Sequence, residues 1–140
     1  MRRAHDERIL PHPPAAVWAA LIDLPAWDRW NMVTATAPAG LVAGEDLHLR
    51  IPLPGGRRLP ARARLVAVET ERALRWRGGP RGVFVGEHGY RLSPAEGGTR
   101  LVHEEVFSGV AAGLVTRLLG LDDRAYGRVS AALDRYLRER

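Results

Sequence analysis

Between positions 32 and 108 the chain offers six successive strand-like stretches parted only by short turns, and that run decides the architecture. The stretches are residues 32–37, 46–53, 59–69, 73–77, 83–92 and 99–108. Pro38-Ala39-Gly40, Pro54-Gly55-Gly56, Gly78-Gly79-Pro80 and Glu96-Gly97-Gly98 supply turns between them. Connections this short cannot carry a parallel crossover, so successive strands pair antiparallel as a meander.

The flanks add helices. A first strand over residues 4–10 ends at the breaker Pro11-His12-Pro13-Pro14. Proline suits the first turn of a helix, and residues 15–22 follow as one, with Val17, Trp18 and Leu21 on an apolar stripe. Asp23-Leu24-Pro25 stops it, and residues 26–31 make a second helix of one or two turns. After Gly109, residues 110–119 hold a helical turn or two. Asp122-Asp123 then cap and charge a final helix reaching about Arg138. In that helix Tyr126, Val129, Leu133, Tyr136 and Leu137 recur at steps suited to one buried face. The expected fold is α+β in the order β-α-α-β6-α. Seven antiparallel strands curve around the long C-terminal helix and leave an internal cavity, because one helix cannot fill so wide a concave side.

Composition narrows the functions. At 140 residues, with 46% hydrophobic and 26% charged residues, the chain suits a single domain over residues 1–140 and not a disordered segment. It has no cysteine, which removes disulfides, zinc knuckles and thiol catalysis. All the basic residues are arginine, so lysine bases and Schiff bases are removed as well. No apolar stretch approaches the ~18 residues of a bilayer span. The polar start Met1-Arg2-Arg3-Ala4-His5-Asp6-Glu7 is no leader peptide, and the cytoplasm is the expected location. The net charge of +5 comes from arginines scattered among carboxylates, with no aromatic-interleaved stripe. Neither nucleic acid nor membrane insertion is therefore expected. Exposed strand edges leave a homodimer open.

Several short motifs, in order and spacing, carry a resemblance. They are Pro14-Ala15-Ala16-Val17-Trp18-Ala19-Ala20-Leu21, Trp27-Asp28-Arg29-Trp30-Asn31 and Leu74-Arg75-Trp76-Arg77-Gly78. Further along come Gly86-Glu87-His88-Gly89-Tyr90-Arg91-Leu92, residues 98–109, and Ala131-Ala132-Leu133. The chain resembles the START-like, Bet v 1-like (SRPBCC) superfamily, in particular its polyketide cyclase/dehydrase group. The resemblance implies a helix-grip fold and an apolar small-molecule ligand. It leaves open cyclase chemistry, carriage of a lipid or similar hydrophobic metabolite, and docking to another protein.

Strand alternation nominates the chemical residues. Phe84, Gly86, His88, Tyr90 and Leu92 share one face, and Leu101, His103, Glu105 and Phe107 share a face of the next strand. If a loop over residues 93–98 sets Leu92 opposite Thr99, His88 faces His103 and Gly86 faces Glu105, leaving room for that carboxylate. Two imidazoles and a carboxylate on an apolar wall suit proton transfer to and from a carbonyl substrate. In that reading His88 or His103 is base or acid, Glu105 orients the ring, and Tyr90 donates to a developing enolate, with no cofactor. The same groups equally suit a polar belt satisfied within itself. A metal held by the two histidines and Glu105 is not expected, since only two strands would supply ligands. The ligand wall is expected from Trp30, Asn31, Trp76, Phe84, Leu101, Phe107 and Tyr126, with Trp30 serving either stacking or core packing. Arg62 and Arg64 share the parity of apolar Val66 and Val68. Either a bulge swaps the faces, or an arginine enters the cavity.

Overall fold

Proline and glycine set nearly every element boundary. The computed structural model describes residues 1–140. It runs β1 (Arg2–Leu10), α1 (Pro14–Ile22), a 3₁₀ helix (Leu24–Arg29), β2 (Thr34–Thr36) and β3 (Asp46–Pro52). There follow β4 (Arg58–Glu69), β5 (Ala73–Gly78), β6 (Val85–Ala95), β7 (Gly98–Ser108), α2 (Ala112–Leu119) and α3 (Asp123–Arg138). Pro14 opens α1, and Gly120 ends α2 in the left-handed conformation that glycine tolerates. The Asp122 carboxylate accepts the Ala125 N–H at 2.9 Å, so the expected cap starts α3.

The seven strands form one antiparallel sheet in the order β1-β7-β6-β5-β4-β3-β2, the helix-grip arrangement. β1 and β2 are its edges. On the outer face of β1, Arg3 and His5 bond Glu104, and Arg100 bonds Glu7, tying the edge strand to β7. The puzzle of Arg62 and Arg64 is resolved by a bulge. Leu65 pairs with Trp76 while Ala67 pairs with Arg75, so Val66 is the extra residue and the faces swap there. Both arginines lie on the exposed side.

One expected register is wrong by two residues. β6 and β7 continue through Ser93, Pro94 and Ala95 to a tight turn at Glu96-Gly97, with Ala95 opposite Gly98. Gly97 and Gly98 both adopt positive φ, which allows the turn to be this tight. His88 therefore faces Glu105, Tyr90 faces His103, and Gly86 faces Phe107. A shift by two preserves parity, so the inward-facing set stands.

The interior differs from the expected hollow. Val17, Trp18 and Leu21 of α1, Trp27 of the 3₁₀ helix, Leu47, Leu65, Leu74 and Leu101 of the sheet, and Val129 and Leu133 of α3 form the main core. Aromatic rings occupy the space between sheet and α3. Trp27 lies 5.7 Å from Trp76, Trp76 stacks on His88 at 4.5 Å, and His103 stacks on Tyr90 and Tyr126 at 4.4 Å each. The best-formed recesses open to solvent instead. One of about 740 Å³ lies beside the 3₁₀ helix and is lined by Leu24, Asp28, Thr34, His48, Arg50 and Arg62. The four buried indoles of Trp18, Trp27, Trp30 and Trp76 help fill what one helix cannot.

Beneath α3, β1 contributes a pair that sequence reading passed over. Arg8 donates to Asp6 at 2.9 Å and to the Gly127 carbonyl at 3.2 Å. A Cβ at Gly127 would meet Asp6 Oδ1 at 3.3 Å, so this glycine lets the helix close on the ion pair.

Truncation should separate core from cap. Leu133→Ala, at a fully buried site, is expected to cost about 3 kcal/mol. Asp122→Ala is expected to cost about 1 kcal/mol. Urea melts should show both as midpoint shifts with unchanged slope.

Candidate functional site

The polar residues of the interior gather where β6 meets β7 under the first turn of α3. Alternation turns Glu87 outward to Arg75 and Arg77, at 3.0 Å each, and turns His88 and Tyr90 inward. On β7 it turns Glu104 outward and brings His103, Glu105 and Phe107 inward. His88 and Glu105 are direct cross-strand partners, and His103 lies diagonally from His88.

These groups form a chain of hydrogen bonds. Tyr126, from α3, donates its hydroxyl to Glu105 Oε1. His88 Nδ1 lies 3.1 Å from the same oxygen, and His88 Nε2 lies 2.7 Å from His103 Nε2. With the His88 Nδ1–H donating to the carboxylate, a neutral His88 accepts at Nε2 from the His103 Nε2–H. His103 Nδ1 is then a bare lone pair. It is buried and has no hydrogen-bond partner. If His88 carries both protons, the shared proton sits on its Nε2 and His103 is the acceptor. The row thus passes a proton between rings without moving a heavy atom. His88 has both nitrogens engaged with neighbours, so the three groups form a line and do not converge on a point. Gly86 makes the arrangement possible, because a Cβ there would run into Glu105 Oε2.

Burial sets the electrostatics. Removal from water, then the neighbouring His88 charge, holds the His103 imidazole well below its usual range, against a smaller opposing pull from the Tyr126 backbone. Tyr126 is pushed well above the usual phenol range by burial and then by the Glu105 charge. Tyr90 is pushed up by burial above all, against the bond from Asn31, with the Glu105 charge adding to it. Both phenols therefore stay protonated donors, while His103 stays neutral.

The ligand wall expected from sequence is placed as follows. Asn31 Nδ2 donates to the Tyr90 hydroxyl at 3.1 Å, which leaves the Tyr90 proton free to donate elsewhere. Trp30 is buried edge-on to Trp27 and Tyr90, and its Nε1 has no partner. Trp76 covers His88, and Leu101 lies in the main core. Phe107 and Tyr126 belong to a second, smaller cluster with Ala4, Ala112 and Ala125. Phe84 precedes β6 instead of lying on it, and stacks on Phe107 at 5.6 Å. Asn31, Met32 and Phe84 are half-buried, and Met32 packs against both clusters. Sequence reading missed the Tyr126–Glu105 bond. Its only signal was that Tyr126 opens the inward stripe of α3.

A family model described as polyketide cyclase / dehydrase and lipid transport matches residues 1–137. No curated protein matches in sequence. Among solved structures, protein MLL2253 from Mesorhizobium loti superposes with a TM-score of 0.76 at 20% identity, covering 99% of this chain and 98% of that one. TTHA0849 from Thermus thermophilus gives 0.74 at 19% identity, with 99% and 98% covered. Ara h 8.0201 gives 0.70 at 12% identity, with 99% of each chain covered. At such identities these likenesses speak for the fold alone.

Two measurements test the site's physics. His103 prefers the neutral form when folded, so its contribution to stability is complete above about pH 6.5. Stability should fall as pH drops below that value toward the depressed folded pKa, with a slope of up to about 1.4 kcal/mol per pH unit. His103→Gln should flatten that stretch of the profile; an unchanged slope contradicts the assignment. Gly86→Ala should cost about 1–3 kcal/mol. In a double-mutant cycle with Glu105→Ser that cost should shrink, and full additivity would show that the glycine does not serve the carboxylate.

Proposed function

We propose that the chain, which belongs to the polyketide cyclase/dehydrase and lipid-transport family, binds an apolar polyketide-like or aromatic molecule beside the Glu105–His88–His103 row. There it catalyses cofactor-independent proton transfer leading to cyclisation or dehydration. The observation that carries this reading is the bonded pair of buried imidazoles backed by a carboxylate. His103 Nδ1 makes no side-chain hydrogen bond, and only the Tyr126 backbone lies near the ring, so the row is not closed by side chains alone.

The chemistry follows from the proton inventory. His103 Nδ1 takes a proton from the carbon next to a substrate carbonyl, and its Nε2 proton passes to His88. Positive charge then rests on His88, against the Glu105 carboxylate that Tyr126 holds in place. The free Tyr90 proton donates to the enolate oxygen. For dehydration the shuttle runs back and delivers the proton to the departing hydroxyl, which leaves as water. For cyclisation the enolate carbon attacks a second carbonyl of the same molecule, and the returning proton quenches the alkoxide.

A ligand must make room among packed side chains. Met32 suits that displacement, since an unbranched thioether repacks at little cost and lies against both clusters. A second reading, a carrier of a lipid or other hydrophobic metabolite, is favoured by the buried, unpartnered Trp30 Nε1. That donor can hold a ligand oxygen without any chemistry.

Turnover and binding separate the two. Poly-β-carbonyl chains and aromatic ketones are screened by thermal shift and product analysis. On an enzyme, His103→Gln and His88→Gln should each lower turnover about 100-fold or more while the ligand-induced shift persists. A ligand that stabilises the wild type and is recovered unchanged supports the carrier. Wild-type turnover in both variants would end the catalytic reading.

A further inference from the structure

We infer that the end of the molecule bearing α2 docks onto the surface of an anionic lipid bilayer. The inference is independent of the proton relay and holds whether or not the interior is catalytic.

Pairing brings one set of exposed apolar residues together. Arg2 lies opposite Phe107, and Val85 opposite Ser108, so the start of β1, the β5–β6 turn and the start of α2 share one end of the sheet. The Val110 and Ala111 amides bond the Gly82 and Val83 carbonyls at 3.0 and 2.8 Å. Met1 lines one recess with Arg81 and Gly82.

The face of α2 is inverted for a solvated helix. It buries Ala112 and Thr116, whose hydroxyl bonds back to the Ala112 carbonyl, and turns its large apolar residues out. Val110, Leu114 and Leu118, each four residues from the next, are 91%, 61% and 64% exposed. Met1 and Val83 extend the same surface. An exposed apolar row of this kind, running from just before a short helix along its outer face, marks an interaction surface.

Charge identifies the occupant of that surface. Arg2, Arg117 and Arg124 line the recess with Leu114, and Arg81 lies two residues before Val83. None of these four arginines has an ion-pair partner, so each is available to an anionic headgroup. The carboxylates nearby are engaged: Asp122 caps α3, and Asp123 accepts the His5 amide. A second copy pairing on the same patch would set arginine against arginine. Nucleic acid would leave the aliphatic row unused, and no aromatic ring stands in that row to stack on a base. A bilayer with anionic headgroups satisfies both parts, with aliphatic side chains in the acyl boundary and guanidiniums on phosphates.

The test is co-sedimentation of the full chain with vesicles. Phosphatidylcholine alone is compared with phosphatidylcholine containing about one-third phosphatidylglycerol. Binding is expected to the anionic vesicles only, and to weaken as salt is raised. Leu114→Ser/Leu118→Ser, at exposed sites, should keep the thermal midpoint and weaken binding about tenfold or more. Arg81→Gln/Arg117→Gln should weaken it about 25-fold, about fivefold for each arginine. His103→Gln should bind like the wild type, so failure of the catalytic reading leaves this one untouched. The inference is overturned by absence of binding at low salt or by binding indifferent to the leucine changes. It is equally overturned by a vesicle-free dimer that those changes abolish.

Discussion

The pairing of β6 with β7 is the constraint on which the interior depends. It places His88 against Glu105 and Tyr90 against His103, and it leaves the diagonal between the imidazoles as a hydrogen bond of 2.7 Å. Both strands run to a two-residue turn, so their register admits no slack. Gly86 is part of the same constraint, because only a residue without a side chain leaves the carboxylate its place opposite His88. α3 closes the set by bringing the Tyr126 hydroxyl to Glu105. Without this pairing each buried polar group would be an orphan in an apolar core, at a cost of kilocalories apiece.

Most of the backbone was legible in the residues because it is written in local terms. Glycine and proline turns, the Asp122 cap and the three-four spacing of Tyr126, Val129 and Leu133 each act over a few positions. Inward and outward sets were legible for the same reason, since parity survives a shift of two. What was not legible depends on distances between side chains remote in sequence. The register of β6 on β7 turned on whether Ser93 to Ala95 belong to a loop or to a strand. Pro94 lies opposite Thr99 in the hairpin. The partner of the Glu105 carboxylate comes from a helix more than twenty residues away. No period in the sequence reports such a contact.

The filled interior modifies how a helix-grip fold serves a ligand here. Indoles and phenols from four elements occupy the space between sheet and helix, so the closed state is stable as it stands. The unpartnered Trp30 Nε1 and His103 Nδ1 lie within that filling. With Ser130 Oγ they are the buried side-chain polar atoms that lack a partner. The site and the apolar end with α2 share the second, smaller cluster, through Ala112, Phe107 and Tyr126.

The ion pairs along β1 bear on how the protein behaves among copies of itself. An open sheet leaves two rows of unpaired amides and carbonyls, each a template on which a stranger's backbone can crystallise. β2 offers only three residues of such template. β1 is long, but Arg3, His5 and Glu7 project from it and lock onto Glu104 and Arg100. A strand added at that edge would have to lay its own side chains beside these charges. The charged hem of the sheet thus guards a chain this rich in strands against fibrous self-assembly.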